Sequence, residues 1–438
     1  MAASTKMLRS LQSATTESPN DIMKHCIELM NANLFFAASC SLKLLHNSLS
    51  EEDKPKTATL LAQCGLALGS HELMNHAKNS NLGVQMRNVI GFVQETNLHK
   101  HMLEKCNEDC TTLSITPPTD DLCLAICAGG PSLMLQLWVN LHSLKNTEFC
   151  SDDVTVVIVH ADEISEQEID KFTHEFSKFM SLRFLNIKDC TEFINTIDGG
   201  VHALRGYQIK LAAMCVLNYK NIILCDADIL WIQNPLKSVN RECDLFIFSD
   251  IWHFKCKRHE KSSTTSFLYR LHDVDCNIQE FESGLVYMNK ESNEQFVRML
   301  FHLCKNYKYY FNLTFGDKDL YYMAAKKTGA NVKVNSRLPM MLGNVSGGEF
   351  TSQSMVQLVE NGPSHIHMTL HPMSDDNVKV PTHLCEDTND IHFVQRKIND
   401  KTVGTVACEV ENSTELNSIN IYSKTYVSAL SYARSFSS

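Results

Sequence analysis

Apolar runs that alternate with helix-like patterns restrict what the middle of this chain can fold into. "LCLAICAGG" reads as a buried strand ending in glycines, "SLMLQLWVNLHSL" as a helix, "VTVVIVHAD" as a second strand and "EQEIDKFTHEFSKFM" as a second helix. "LRFLNI", the helix "YQIKLAAMCVL" and the strand "NIILCDAD" continue the series. Strands that are apolar throughout need cover on both faces, and strands separated by helices run parallel. The expected fold class is therefore α/β, a mostly parallel sheet with helices on both faces, whose ligands gather at the carboxyl ends of the strands. The polar stretch "TTLSITPPTDD" places its start near residue 118.

Residues 20–112 carry helix-like spacing without strand alternation, as in "DIMKHCIELMNANLFFAASCSLKLLHNSL", "KTATLLAQCGLAL" and "GVQMRNVIGFVQETNL". Short helices joined by polar breaks such as "SEEDKPK" predict an all-helical domain, in the manner of tetratricopeptide-like hairpins. Its expected task is packing or docking a protein partner. Residues 1–19 are expected to be disordered, 118–400 to form the α/β domain, and 401–438 a C-terminal extension.

A hydrophobic content of 44% marks a folded chain, and a net charge of -10 argues against a general nucleic-acid or anionic-membrane binder. The opening "MAASTKMLRSLQSATTESPNDIMKH" has no signal-peptide core, and no later run approaches the ~20 apolar residues of a membrane span. A cytoplasmic location is expected. The 17 cysteines form no CxxC pair, and Cys123, Cys127 and Cys225 lie in strand-like runs, which fits reduced thiols. A zinc cluster of Cys106, Cys110, Cys123 and Cys127 is disfavoured by its spacing. Without a secretory signal, the sequons at Asn312, Asn344 and Asn412 are expected to stay unmodified.

The segment "KNIILCDADILWIQNPL" sets Asp226 and Asp228 one residue apart beside an apolar run. Coulomb repulsion and desolvation oppose ionising both unless a cation, a shared proton or water compensates. If the segment is extended, the two side chains share a face and form an oxygen jaw suited to Mg²⁺ or Mn²⁺. A surface turn is the alternative, and the position at a strand's carboxyl end favours the jaw.

"YQIKLAAMCVLNYKNIILCDADILWIQNP", followed by "FESGLVYMNK", "FGDKDLYYMA" and "MVQLVENGPSHIHMTLHP", resembles the fungal Mnn1/Mnn2-type α-mannosyltransferases, within the GT-A nucleotide-sugar glycosyltransferases, over roughly residues 120–373. The resemblance implies a Rossmann-like GT-A domain and transfer of a sugar from a nucleotide donor to a glycan or glycoconjugate hydroxyl, with retention of configuration. GDP-mannose is the favoured donor, and a UDP-sugar the alternative. Members of the family usually carry an amino-terminal membrane anchor; a helical block in its place points to a viral, protist or otherwise cytosolic relative.

By the same resemblance, Asp226 and Asp228 match the DxD that binds Mn²⁺ (or Mg²⁺) on the donor's diphosphate, and His367 of "SHIHMTLHP" matches the third metal ligand. His365 and His371 are its rivals. Lys210 of "YQIKLAA" is expected to reach a phosphate or pair with a site carboxylate, with Arg205 a weaker version. Glu282, Ser283 and Gly284 match an ESG turn at which Glu282 bonds sugar hydroxyls, and Asp317 and Asp319 open a helix whose first acid faces a sugar. For those two acids, capping of the helix is the competing role. Ala128, Gly129 and Gly130 follow the first strand, where the nucleotide passes, and Asp162 or Glu163 after the second strand could read the base, or equally serve as loop charges or a helix cap.

Two further readings compete. A haloacid-dehalogenase-type phosphatase also places two acids after an apolar strand, but "DADILW" lacks the hydroxyl residue that usually follows, and the strand comes late in its domain. A non-catalytic scaffold would have no use for intact DxD and HIH segments.

Overall fold

The computed structural model describes residues 98–112, 118–129, 131–149, 154–190, 206–251, 280–311, 316–367, 380–386, 392–398, 401–409, 413–417 and 420–437, with isolated positions elsewhere. The expected disordered segment 1–19 and nearly all of the expected helical domain lie outside the described residues, the exceptions being scattered helical positions and the helix Leu98–Thr112. The chain divides into two compact units, one of Met1–Asn107, His259–Asn277 and Asn312–Phe315, the other of Glu108–Arg258, Ile278–Phe311 and Gly316–Ser438. Both sheets belong to the second unit.

The first sheet has seven strands in the order β3-β2-β1-β4-β7-β6-β8. They are β1 (Asp120–Cys127), β2 (Thr155–His160), β3 (Ser181–Asn186), β4 (Tyr219–Asp226), β6 (Leu245–Ser249), β7 (Phe281–Asn289) and β8 (Val332–Val334). β1 runs parallel to β2 and β4, and β2 to β3. β7 runs antiparallel between β4 and β6. The sheet is thus the expected parallel-rich one with a reversed strand inside it, and that reversal brings the start of β7 to the carboxyl end of β4, with Leu285 opposite Cys225.

On one face, Leu124, Ile126, Ile223 and Cys225 pack with Leu137 and Trp138 of α1 (Pro131–Lys145) and Phe172 and Phe176 of α2 (Glu166–Phe176). α2 starts where Ser165 and Glu168 close a capping box. The alternate residues Ala125, Ile222 and Leu224 are equally buried on the face where α3 (Gln208–Val216) lies on β1 and β4, α5 (Lys318–Lys327) lies on β6 and β7, and α4 (Glu294–Lys305) packs on both helices. Burial on both sides is why these strands have no polar alternation.

The second sheet is antiparallel and has eight strands: β5 (Ile229–Trp231), β9 (Met340–Ser346), β10 (Glu349–Val359), β11 (Gly362–His367), β12 (His383–Cys385), β13 (His392–Ile398), β14 (Lys401–Glu409) and β15 (Ser413–Glu415). β5 follows β4 after a two-residue turn and pairs with β11, so that His367 lies opposite Ile229. The sequence set residues 401–438 apart as an extension; here they supply β14, β15 and the helix α6 (Ile421–Ser437), which packs on α1. Trp138 Nε1 donates to Ser435 Oγ (3.3 Å) and Asn146 Nδ2 to the Tyr432 hydroxyl (2.6 Å). No helix among the described residues is long and apolar enough to cross a membrane.

Candidate active site

Asp226 ends β4, and Ala227 and Asp228 form the turn into β5. The two carboxylates do converge, but through this turn and not through strand alternation. Asn140 of α1 holds it in shape: its Nδ2 donates to the carbonyls of Asp226 (3.1 Å) and Ala227 (3.3 Å), while its Oδ1 accepts from Trp231 Nε1 (2.9 Å). Ser143, one turn along α1, accepts from the Trp231 backbone N–H (3.0 Å). Neither residue belongs to a recognisable motif; the available signal is a polar row at helical spacing, Gln136, Asn140 and Ser143, within a largely apolar helix.

His367 meets this turn because β11 is paired with β5. Its Nε2 lies 3.2 Å from Asp228 Oδ1 and 3.6 Å from Asp226 Oδ2, and its Nδ1 3.4 Å from Glu282 Oε1. His365, its rival, is fully buried between Trp231 and Phe248, and burial, reinforced by His367, pushes its pKa down to about 3. His371 lies outside the described residues.

Lys210 on α3 is buried and points into the same cluster. Its Nζ is 3.0 Å from Asp226 Oδ1 and 3.4 Å from Asp317 Oδ2, and donates to Ser283 O (3.1 Å) and Oγ (3.0 Å). Asp317 stands at the N-cap of α5 without making a capping bond and instead accepts from Ser283 Oγ (3.2 Å). Asp319, also buried, accepts from the Phe281 backbone N–H (3.3 Å) at the start of β7. Beside them, Lys318 pairs with Asp250 (2.5 Å) and Glu280 (2.8 Å).

Four acids, Asp226, Asp228, Glu282 and Asp317, thus share the space with Lys210 and His367. Burial drives Asp226 up to about 6 despite Lys210, and also raises Asp317. For Asp228 burial acts upward too, but His367 outweighs it and holds the carboxyl low. At Glu282 burial is likewise overcome, chiefly by His367, bringing the carboxyl down to about 2. Burial disfavours the His367 imidazolium, yet Asp228 and Glu282 hold its pKa well above the ordinary histidine value. One donor atom each from Asp226, Glu282 and His367 lie within 4.8 Å of one another. Hard oxygens, an imidazole nitrogen and surplus negative charge fit a divalent cation such as Mn²⁺ or Mg²⁺.

Ala128 and Gly129 lie just past β1, and a Cβ on Gly129 would meet Glu163 Oε2 at 2.6 Å. Glu163, whose Oε2 accepts from the Ala161 backbone N–H (2.6 Å), is therefore the acid beside the end of β1. Asp162 turns to the surface, pairing with Lys188 (2.8 Å) and Asn186 (2.6 Å). Gly130 and Arg205 lie outside the described residues. Tyr207, at the N-cap of α3, is 60% exposed and packs against Gly316, whose φ of +72° only glycine adopts readily.

Residues 151–380, just over half of the chain, match the family described as nucleotide-diphospho-sugar transferase. No curated protein matches the sequence. Among solved structures the chain is similar to mouse xyloside xylosyltransferase 1 in its apo form, at 15% identity and a TM-score of 0.34, covering 50% of this chain and 85% of that one. It is also similar to galactosyltransferase LgtC in complex with donor and acceptor sugar analogues, at 14% identity and a TM-score of 0.33, covering 49% and 73%. The mannosyltransferase PcManGT from Pyrobaculum calidifontis, in complex with GDP-Man and Mn²⁺, gives 11% identity and a TM-score of 0.29, covering 56% and 65%. Likenesses this distant transfer neither sugar nor metal.

Proposed function

The chain belongs to the nucleotide-diphospho-sugar transferase family and is a glycosyltransferase, and from that premise we propose that it moves mannose from GDP-mannose to a hydroxyl of a glycan or glycoconjugate, with retention of configuration. Asp226, Asp228 and His367 would hold Mn²⁺ or Mg²⁺. The observation that carries this reading is their convergence, from two different sheets, on one point at the carboxyl end of the central strand β4. A bound divalent cation offsets the negative charge that builds on the departing nucleoside diphosphate.

The chain's own residues prepare that point. Lys210 balances Asp226 and Asp317 and keeps both ionisable in a buried setting. Asn140 locks the turn that aims the two aspartates. Asp317, whose carboxyl is not spent on capping, is the acid proposed to face the sugar, with Asp319 fixing the start of β7 behind it. The phosphatase reading does not survive the family match.

The mannosyl donor rests on the four motifs in Mnn1/Mnn2 order. A UDP-sugar is the second reading, favoured by Asp162, whose carboxylate is engaged by Lys188 and Asn186 and so is not offered to a guanine. Calorimetry with Mn²⁺ decides between them. GDP is expected to bind tighter than UDP; UDP tighter by about tenfold, a gap of about 1.4 kcal/mol, would remove the mannosyl assignment and leave the transferase.

A further inference from the structure

We infer that Glu282 is a positioning residue for His367, holding the imidazole at Nδ1 so that Nε2 is presented to Asp226 and Asp228. This rests on reading the cluster as a divalent-cation centre. An imidazole has two nitrogens, and what engages one decides what the other offers. Here carboxylates stand at both: Glu282 Oε1 3.4 Å from Nδ1, Asp228 Oδ1 3.2 Å and Asp226 Oδ2 3.6 Å from Nε2. With an aspartate pair on one side and a lone glutamate on the other, the ring has one side for a cation and one for an orienting partner.

Glu282 is itself held in place. Its Oε1 accepts from the Gly284 backbone N–H (2.7 Å), and the register of β7 against β4 fixes both residues beside the Asp226 turn. Gly284 supports the same ring in a second way: a Cβ there would lie 2.6 Å from His367 Nδ1 and 2.7 Å from Cε1. The glycine is required by this approach of the ring. Ser283 between them serves the other half of the cluster, bonding Lys210 and Asp317. The Glu282-Ser283-Gly284 turn is thus a back wall whose outer members both answer to His367. A glutamate reserved for sugar hydroxyls would have no reason to turn the oxygen that accepts from a backbone N–H toward an imidazole 3.4 Å away.

The test measures Mn²⁺ affinity by electron paramagnetic resonance of the free ion, on the full chain without nucleotide, so that no sugar contact enters. Glu282→Ala is expected to weaken binding about 10–100-fold. Glu282→Gln, whose amide oxygen still accepts from Nδ1–H, should restore most of that loss. Gly284→Ala should weaken binding with Glu282 intact, and Glu282→Ala should add little on top of His367→Ala, because both act through one ring. Thermal unfolding of each variant checks that the fold persists; if Glu282→Ala does not fold, the Gln and Gly284 variants carry the test. Equal losses in Glu282→Ala and Glu282→Gln would make Glu282 a ligand and overturn the inference. Wild-type Mn²⁺ affinity in both, with only nucleotide-sugar binding reduced, would return it to the sugar. Absence of Mn²⁺ binding by the unaltered protein would instead bring down the cation reading itself, and this inference with it.

Discussion

At the scale of single residues, the acids of the candidate site stand in short sequence patterns while the residues that support them do not. Asp226, Asp228, Lys210 and Asp317 come together because strand order and the reversal of β7 bring their segments to the carboxyl end of the central strand β4. Asn140 was not legible, since an asparagine inside an apolar helix has no motif and its partners are backbone carbonyls 86 and 87 residues away. Asp226 shows what the site costs. Its carboxyl is raised above the ordinary value by burial, to about 6, so the stability it lends is complete at acid pH and lost as pH rises through about 6. Asp226→Asn should therefore raise the melting temperature of the metal-free protein by a few degrees near neutral pH. The difference should vanish in the ordinary carboxylate range. A destabilised Asn variant at neutral pH would show that the Lys210 pair outweighs burial.

At the scale of elements, the alternation of strands and helices was plain because burial on both faces leaves an apolar run that nothing else explains. The second sheet was not. β10 pairs with β14, with Glu349 opposite Glu409, and so distant a partner leaves no local trace. The sequence also placed the lower edge of the α/β domain at the Pro117 and Pro118 boundary, whereas residues 108–112 already belong to the unit that holds the sheets. The link is specific: Asp109 pairs with His302 (2.7 Å) and Lys305 (2.9 Å) of α4, and Arg298 donates to the Cys110 carbonyl (2.9 Å). Burial pushes the Asp109 carboxyl up, but His302 and Lys305 prevail and lower it, so its stabilisation is present above the ordinary carboxylate range and fades below it. Asp109→Ala should lower the unfolding free energy by about 1–3 kcal/mol at neutral pH, read by urea titration. A fragment starting at residue 113 should suffer at least as much; equal stability of that fragment and the full chain would refute the anchoring role.

At the scale of the whole catalytic unit, the turn at Ala227–Asp228 belongs to neither sheet: β4 before it is in one and β5 after it in the other, and the strand that returns to face it, β11, ends at His367. Residues far apart along the chain close on one point, so an ion taken by Asp226 and His367 would also be a crosslink. Fastening such a long loop restricts the unfolded chain far more than the folded one. Mn²⁺ should then raise the melting temperature in proportion to the logarithm of its concentration, EDTA should abolish that rise, and His367→Ala should show none. An unmoved melting temperature at saturating Mn²⁺ would deny the fastening. Were that crosslink made, the free divalent-ion concentration would set how long the two sheets stay docked, a mechanical role separate from any in sugar transfer.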